Sequence, residues 1–97
     1  MKLMLITCTG GCRPGLEALL ERHGVAGYTE IPNVLGRGAT GKHFGTRAHP
    51  GTASVFFTAL PDEKAADVSQ ALKAAAGACA VGEGMHVYTL TIQEVVE

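Results

Sequence analysis

Residues 36 to 52 read Gly-Arg-Gly-Ala-Thr-Gly-Lys-His-Phe-Gly-Thr-Arg-Ala-His-Pro-Gly-Thr, a stretch with five glycines, three cationic side chains and two histidines. No Asp or Glu lies between Glu30 and Asp62. Glycine lets consecutive backbone N–H groups turn toward an anion, and Arg or Lys adds charge and directed donors. The chemistry of this segment is therefore recognition of something negative: a small anion, the acidic surface of a partner protein, or both. Gly36-x4-Gly41-Lys42 imitates the opening of a phosphate-binding P-loop, but His43 stands where a hydroxyl must hold magnesium. A P-loop also needs a strand before it and a helix after it, and here a strand follows. What survives is a glycine-rich backbone with Arg37 and Lys42 beside a phosphate.

Metal chemistry has two candidate pairs. Cys8-x3-Cys12 has a spacing that zinc sites use, and His43-x5-His49 could add imidazoles, from the same chain or another. A divalent metal bound by Cys8, Cys12, His43 and His49 is thus one expectation; small buried structural cysteines are the other. Three cysteines, an odd number, argue against a disulfide framework of the secreted kind. Nothing resembles a catalytic constellation. Ser54 and Ser69 are the only serines, neither sits in a nucleophile motif, and no acid lies in the segment where a general acid–base pair would be wanted. The expectation is a protein without catalytic residues.

The elements that must position these groups follow from periodicity. Lys2–Thr9 is a short apolar strand ending at Gly10-Gly11. Pro14 suits a first helical turn, Leu16, Leu19, Leu20 and His23 keep helical spacing, and Gly24 stops the helix. Val25 to Leu35 reads as a second strand, placed at an edge or bulged by Pro32. Ala53 to Leu60 is a third strand. Asp62 is an N-cap candidate for a helix that buries Ala65, Val68, Leu72 and Ala75 or Ala76 and stops at Gly77. Met85 to Gln93 alternates as a fourth strand, with His86, Tyr88, Leu90 and Ile92 on one face.

The order β-α-β-β-α-β predicts an α+β, ferredoxin-like domain over residues 1–97, a four-stranded antiparallel sheet with both helices on one face. Apolar residues occupy both parities of the first and third strands, so the second face is expected to be buried by other subunits. With 97 residues and a formal charge of −1, a polyanion-binding surface is excluded as a whole-chain property. The absence of Trp argues against a base-stacking platform, so no nucleic-acid partner is expected. The apolar start is too short for a signal peptide or a membrane span, which points to a cytoplasmic protein with no membrane insertion.

Several short motifs together resemble the nitrogen-regulatory PII signal proteins and their shorter PII-like relatives. They are Met1-Lys2 opening the first strand, Gly24-Val25-x-Gly27-Tyr28-Thr29 leading into the second, Gly36-Arg37-Gly38, and Gly82-Glu83-Gly84 before the last strand. The resemblance implies a homotrimer, not an enzyme, that takes an adenine nucleotide between subunits. It makes residues 36–52 a T-loop that docks on a regulated partner such as a membrane transporter. Gly27, Tyr28 and Thr29 would face the adenine. Gly36, Arg37 and Gly38 would line the loop base, Gly82, Glu83 and Gly84 would form the B-loop, and Lys42, His43, Arg47 and His49 would meet the partner. The lysines that bracket the family's B-loop glycines are absent here, and no arginine follows the last strand. Less charge is left to hold a triphosphate, so ADP or AMP is expected rather than ATP. The loop also lacks the tyrosine that some PII proteins modify, and ordering on ligand binding is expected of it. Two alternatives accompany this reading: a metal-responsive trimer like the CutA-type proteins, and a small dimeric ferredoxin-like enzyme.

Overall fold

The computed structural model describes residues 1–37, 43–44, 53–76 and 84–97, with residues 37, 43 and 44 in backbone only. In chain order the elements are β1 (Lys2–Thr9), α1 (Arg13–Arg22), β2 (Thr29–Pro32), β3 (Gly36–Arg37), β4 (His43–Phe44), β5 (Ala53–Leu60), α2 (Asp62–Ala76) and β6 (Met85–Thr91). The main sheet has the order β2-β5-β1-β6, and every neighbouring pair is antiparallel. Strand β5 lies between β1 and β2, so β1-α1-β2 is a split crossover unit, the ferredoxin-like arrangement.

Strand parity divides the sheet. Met4, Ile6 and Cys8 of β1 and Phe56 of β5 are buried, with exposures of 3% or less, beneath Leu16, Leu19 and Leu20 of α1 and Ala65, Val68 and Leu72 of α2. Phe56 is the largest fully buried side chain among the described residues; truncating a residue of this kind to Ala costs about 3–5 kcal/mol. The other parity, including Leu3, Leu5, Val55, Phe57, Tyr88 and Leu90, faces away from the helices.

Local chemistry sets the helix ends. Helix α1 has Pro14 in its first turn, and it ends where Gly24 takes a φ of 69°. The Gly24 N–H donates to the Glu21 carbonyl and the Val25 N–H to the Leu20 carbonyl. This pair of bonds is a Schellman motif, and Val25 is buried as its apolar lid. That use of Val25 explains a departure from the sequence expectation: Val25 to Leu35 is not a continuous strand, because its first residues complete the helix cap. Strand β2 is an edge, one of the two placements that Pro32 allows, and Asn33 adopts a φ of 57° immediately after it. Pairing resumes for one bond, from the Val34 N–H to the Ala53 carbonyl.

Two further corrections concern ends and loops. Asp62 is the first residue of α2, and its carboxylate accepts a 2.6 Å bond from the Met1 α-amine instead of capping the helix. The segment after β2 is not wholly structureless: Gly36 pairs with Phe44 and Arg37 with His43. Two residues per strand are too few for alternation to be legible in sequence. Strand β6 ends at Thr91 rather than Gln93. Gly38, Lys42, Arg47, His49, Cys79, Gly82 and Glu83 lie outside the described residues, and so does the expectation that residues 36–52 order on ligand binding. No helix among the described residues is long and apolar enough to cross a membrane.

Candidate functional site

The edge strand carries a cleft. Leu3, Gly27, Tyr28, Thr29, Phe57, Thr58 and Ala59 line an open hollow of about 460 Å³ at the margin of the helix-free face. Each wall has a local cause. The Thr58 hydroxyl, buried, donates a 2.6 Å bond to the Gly27 carbonyl, which holds the chain against β5 before the regular ladder begins. The Tyr28 ring leans on Phe56, with centroids 5.5 Å apart and planes tilted by 52°, so a core side chain fixes an aromatic wall that stays 40% exposed. Thr29 pairs with Phe57, on the open parity. A Cβ built on Gly27 would meet no atom within 4 Å. Its φ is not positive either, so the isolated chain gives no reason for glycine at this position.

Of the other predicted ligand residues, the described ones, Gly36, Arg37 and Gly84, lie at the far end of the sheet. The Gly84 N–H donates to Thr9 Oγ1 and the Gly84 carbonyl accepts from the Thr9 N–H, both at 3.0 Å. Thr9 pairs with Ala53, whose carbonyl takes the Val34 N–H just before Gly36 and Arg37. Gly84 and the loop base therefore share one end of the sheet. Gly27 sits beside Thr58, five residues along β5 from Ala53, which at ~3.3 Å per residue is about 17 Å away. Among the described residues, Gly27, Tyr28 and Thr29 do not converge with Gly36 and Gly84 within one chain.

A polar cluster ties β2 to the helix layer. Arg13 Nε donates to Glu30 Oε2 at 2.6 Å and Arg13 Nη2 to Glu30 Oε1 at 2.7 Å. Ser54 Oγ donates to Glu30 Oε2 at 2.9 Å, and Arg13 Nη1 lies 2.6 Å from Glu17 Oε1. The Arg13 fork, aided by Ser54, holds the Glu30 carboxyl below its usual range, and the bond to Glu30 pushes Arg13 upward. Sequence reasoning passed over this cluster. Arg13 and Glu30 are seventeen positions apart, and no local pattern marks charges that meet only through the fold.

The cysteines are separated in role. Cys8 is free and 3% exposed, and burial, with the Glu30 charge second, pushes its thiol up to about 11. Cys12 is disulfide-bonded. Among the described residues no group of three or more His, Cys, Asp or Glu could hold a metal ion; the His43 side chain and all of His49 lie outside them.

No protein-family model matches the chain. No curated protein matches it significantly. Solved structures do. The protein CPII of Thiomonas intermedia K12, a nitrogen-regulatory PII-like protein bound to ADP, AMP and bicarbonate, superposes with a TM-score of 0.69 at 20% identity, covering 98% of this chain and 94% of that one. The same protein bound to ADP and bicarbonate gives a TM-score of 0.70 at 22% identity, covering 96% and 88%. This chain has the PII-like fold. A further CPII structure, with ADP, AMP and acetate, superposes with a TM-score of 0.68 at 20% identity, covering 96% and 88%. Seen as a PII-like fold, the helix-free sheet face is unusually apolar for a surface: Ile31, Tyr88 and Leu90 are each about half exposed, at 48%, 52% and 49%.

Proposed function

We propose that this chain is a PII-like regulatory protein, a cytoplasmic homotrimer that takes ADP or AMP in clefts between subunits. In this reading it passes the signal to a partner protein through residues 36–52. The observation that carries it is the Gly27–Thr29 cleft, which opens from an uncovered apolar sheet face and contains a glycine that its own chain does not require. Completing the burial of Ile31 and Leu90, each already half covered, would contribute about 1 kcal/mol apiece, which supports association through that face. Association also answers the separation of about 17 Å within one chain: the loop base of one subunit supplies Gly36, Arg37 and Gly38 to the Gly27 cleft of the next, with Gly82, Glu83 and Gly84 closing the phosphate end. A ligand reaching across two subunits contacts the ordered loop more favourably than the open one, and that difference is what shifts the loop. CPII, bound to ADP, AMP and bicarbonate, supports the ligand class, a nucleoside mono- or diphosphate together with a small carboxylate-like anion. Lys42, His43, Arg47 and His49 are the docking residues toward the partner, for which a membrane transporter is the proposed class.

The activity is regulatory rather than catalytic. The metal-responsive alternative gains no support from the described residues, where Cys12 is already disulfide-bonded and the Cys8 thiol is buried. Thermal shift with ADP, AMP and ATP against zinc and copper, beside gel filtration, tests the proposal. A trimer stabilised by ADP or AMP is expected. A monomer, or stabilisation by metal alone, would contradict it.

A further inference from the structure

We propose that Arg13 and Glu30, with Ser54, form a clamp that positions the ligand wall on β2, so that Glu30 is a positioning residue for nucleotide binding. The inference rests on the nucleotide reading above and adds to it a device on the opposite face of the sheet.

Strand β2 is poorly held by its backbone. It is four residues long, pairs on one side only, and ends at Pro32 and a left-handed Asn33. Short edge segments of this kind open locally at little cost. What distinguishes β2 is its side-chain anchorage. Glu30 lies opposite Phe56, on the parity that faces the helices, while its neighbour Thr29 faces the cleft. Successive strand residues point to opposite faces, so fixing Glu30 fixes Thr29. Two parallel N–H···O bonds from one guanidinium constrain both position and angle, which a single contact does not. Ser54 takes a third direction at the same carboxylate. Arg13 is the first residue of α1, so the clamp locks the ligand wall to the rigid helix layer rather than to another loop.

The clamp has a diagnostic energetic signature. Arg13 keeps 42% of its side chain exposed, and partly solvated ion pairs contribute little to global stability. Its effect is local, on where β2 sits. Removing it should therefore change ligand affinity more than it changes the melting temperature. A residue that served only to stabilise the fold would show the reverse.

The test compares wild type, Glu30→Gln, Arg13→Lys and, as a charge-matched control on the solvent side of α1, Glu21→Gln. ADP titration calorimetry is run beside hydrogen exchange of residues 27–32 in the ligand-free protein. Arg13→Lys keeps the charge and loses the fork, and it also serves if Glu30→Gln folds poorly. Expected is a loss of ADP affinity of about 3- to 30-fold in both clamp variants, the range that positioning networks carry. Faster exchange over β2 and a melting temperature near wild type accompany it, and Glu21→Gln stays unchanged. Wild-type affinity in Arg13→Lys or Glu30→Gln, or an equal loss in Glu21→Gln, would overturn the clamp while leaving the nucleotide reading intact. If wild type takes up no ADP, the nucleotide reading falls, and with it the clamp's role in binding. Exchange over β2 that is unchanged in Glu30→Gln would overturn the clamp as a physical device in either case.

Discussion

Replacing Gly27 by alanine separates what the fold needs from what the ligand needs. A methyl group at this position meets no atom of the chain within 4 Å, and the backbone is not in the left-handed region. The fold therefore has no steric objection. Gly→Ala at a compatible position stabilises by about 0.4–1 kcal/mol, because the unfolded chain loses freedom. For a domain of this size that is roughly 2–8 °C in melting temperature. Ligand binding should respond in the opposite direction. If an adenine ring packs against Gly27 between Tyr28 and Thr29, the methyl overpacks the contact at about 1–3 kcal/mol, a loss of affinity of roughly 5- to 150-fold. The assay is ligand-free differential scanning calorimetry paired with ADP titration on the same preparations. Unchanged ADP affinity in Gly27→Ala would refute the placement of the base. A lowered ligand-free melting temperature would refute the claim that the protein itself leaves this space open.

Four other outcomes are expected. Arg37→Ala weakens ADP or AMP binding, read by titration calorimetry, while gel filtration still gives the trimer. Leu90→Asp, which places a charge on the half-exposed apolar face, shifts the species in sedimentation velocity toward monomer with far-UV circular dichroism retained. The carboxyl of Glu30 is held below its ordinary value of 4.5, so its stabilising contribution is present above that pH and fades as the pH falls through the lower folded value; accordingly any difference in melting temperature between wild type and Glu30→Gln is largest above about pH 4.5 and closes in acid. The Cys8 thiol, buried and raised to about 11, resists iodoacetamide at pH 8 in the folded protein and reacts promptly in denaturant, as mass spectrometry would record.

The elements that were legible in sequence are those with long, clean periodicity. Ala53–Leu60 is found with its predicted bounds, and α2 buries Ala65, Val68 and Leu72 as its spacing requires. Pro32 pointed to an edge or a bulge, and β2 is an edge. Where local patterns compete, sequence reading loses detail. Val25 has the β-branched character of a strand residue, yet the cap of α1 claims it, and Asp62 has cap chemistry, yet the Met1 amine claims it. The candidate cleft was legible only in part: Gly27, Tyr28 and Thr29 line it together with Phe57 and Ala59, two β5 residues that no motif singled out. The Arg13–Glu30 clamp was invisible, because its partners are joined by topology and not by spacing. Glu30 could be noted from sequence only as the last acid before a long basic stretch.

The central claim is a nucleotide held between subunits at Gly27 and the loop base, and mixed-subunit calorimetry tests it most directly. Gly27→Ala and Arg37→Ala trimers each bind ADP poorly on this account. Refolded together, they form mixed trimers in which some clefts receive an intact Gly27 from one chain and an intact Arg37 from the next. Recovery of a fraction of wild-type ADP sites on mixing is predicted. Mixed trimers that bind no more ADP than either parent would contradict a site shared by two chains.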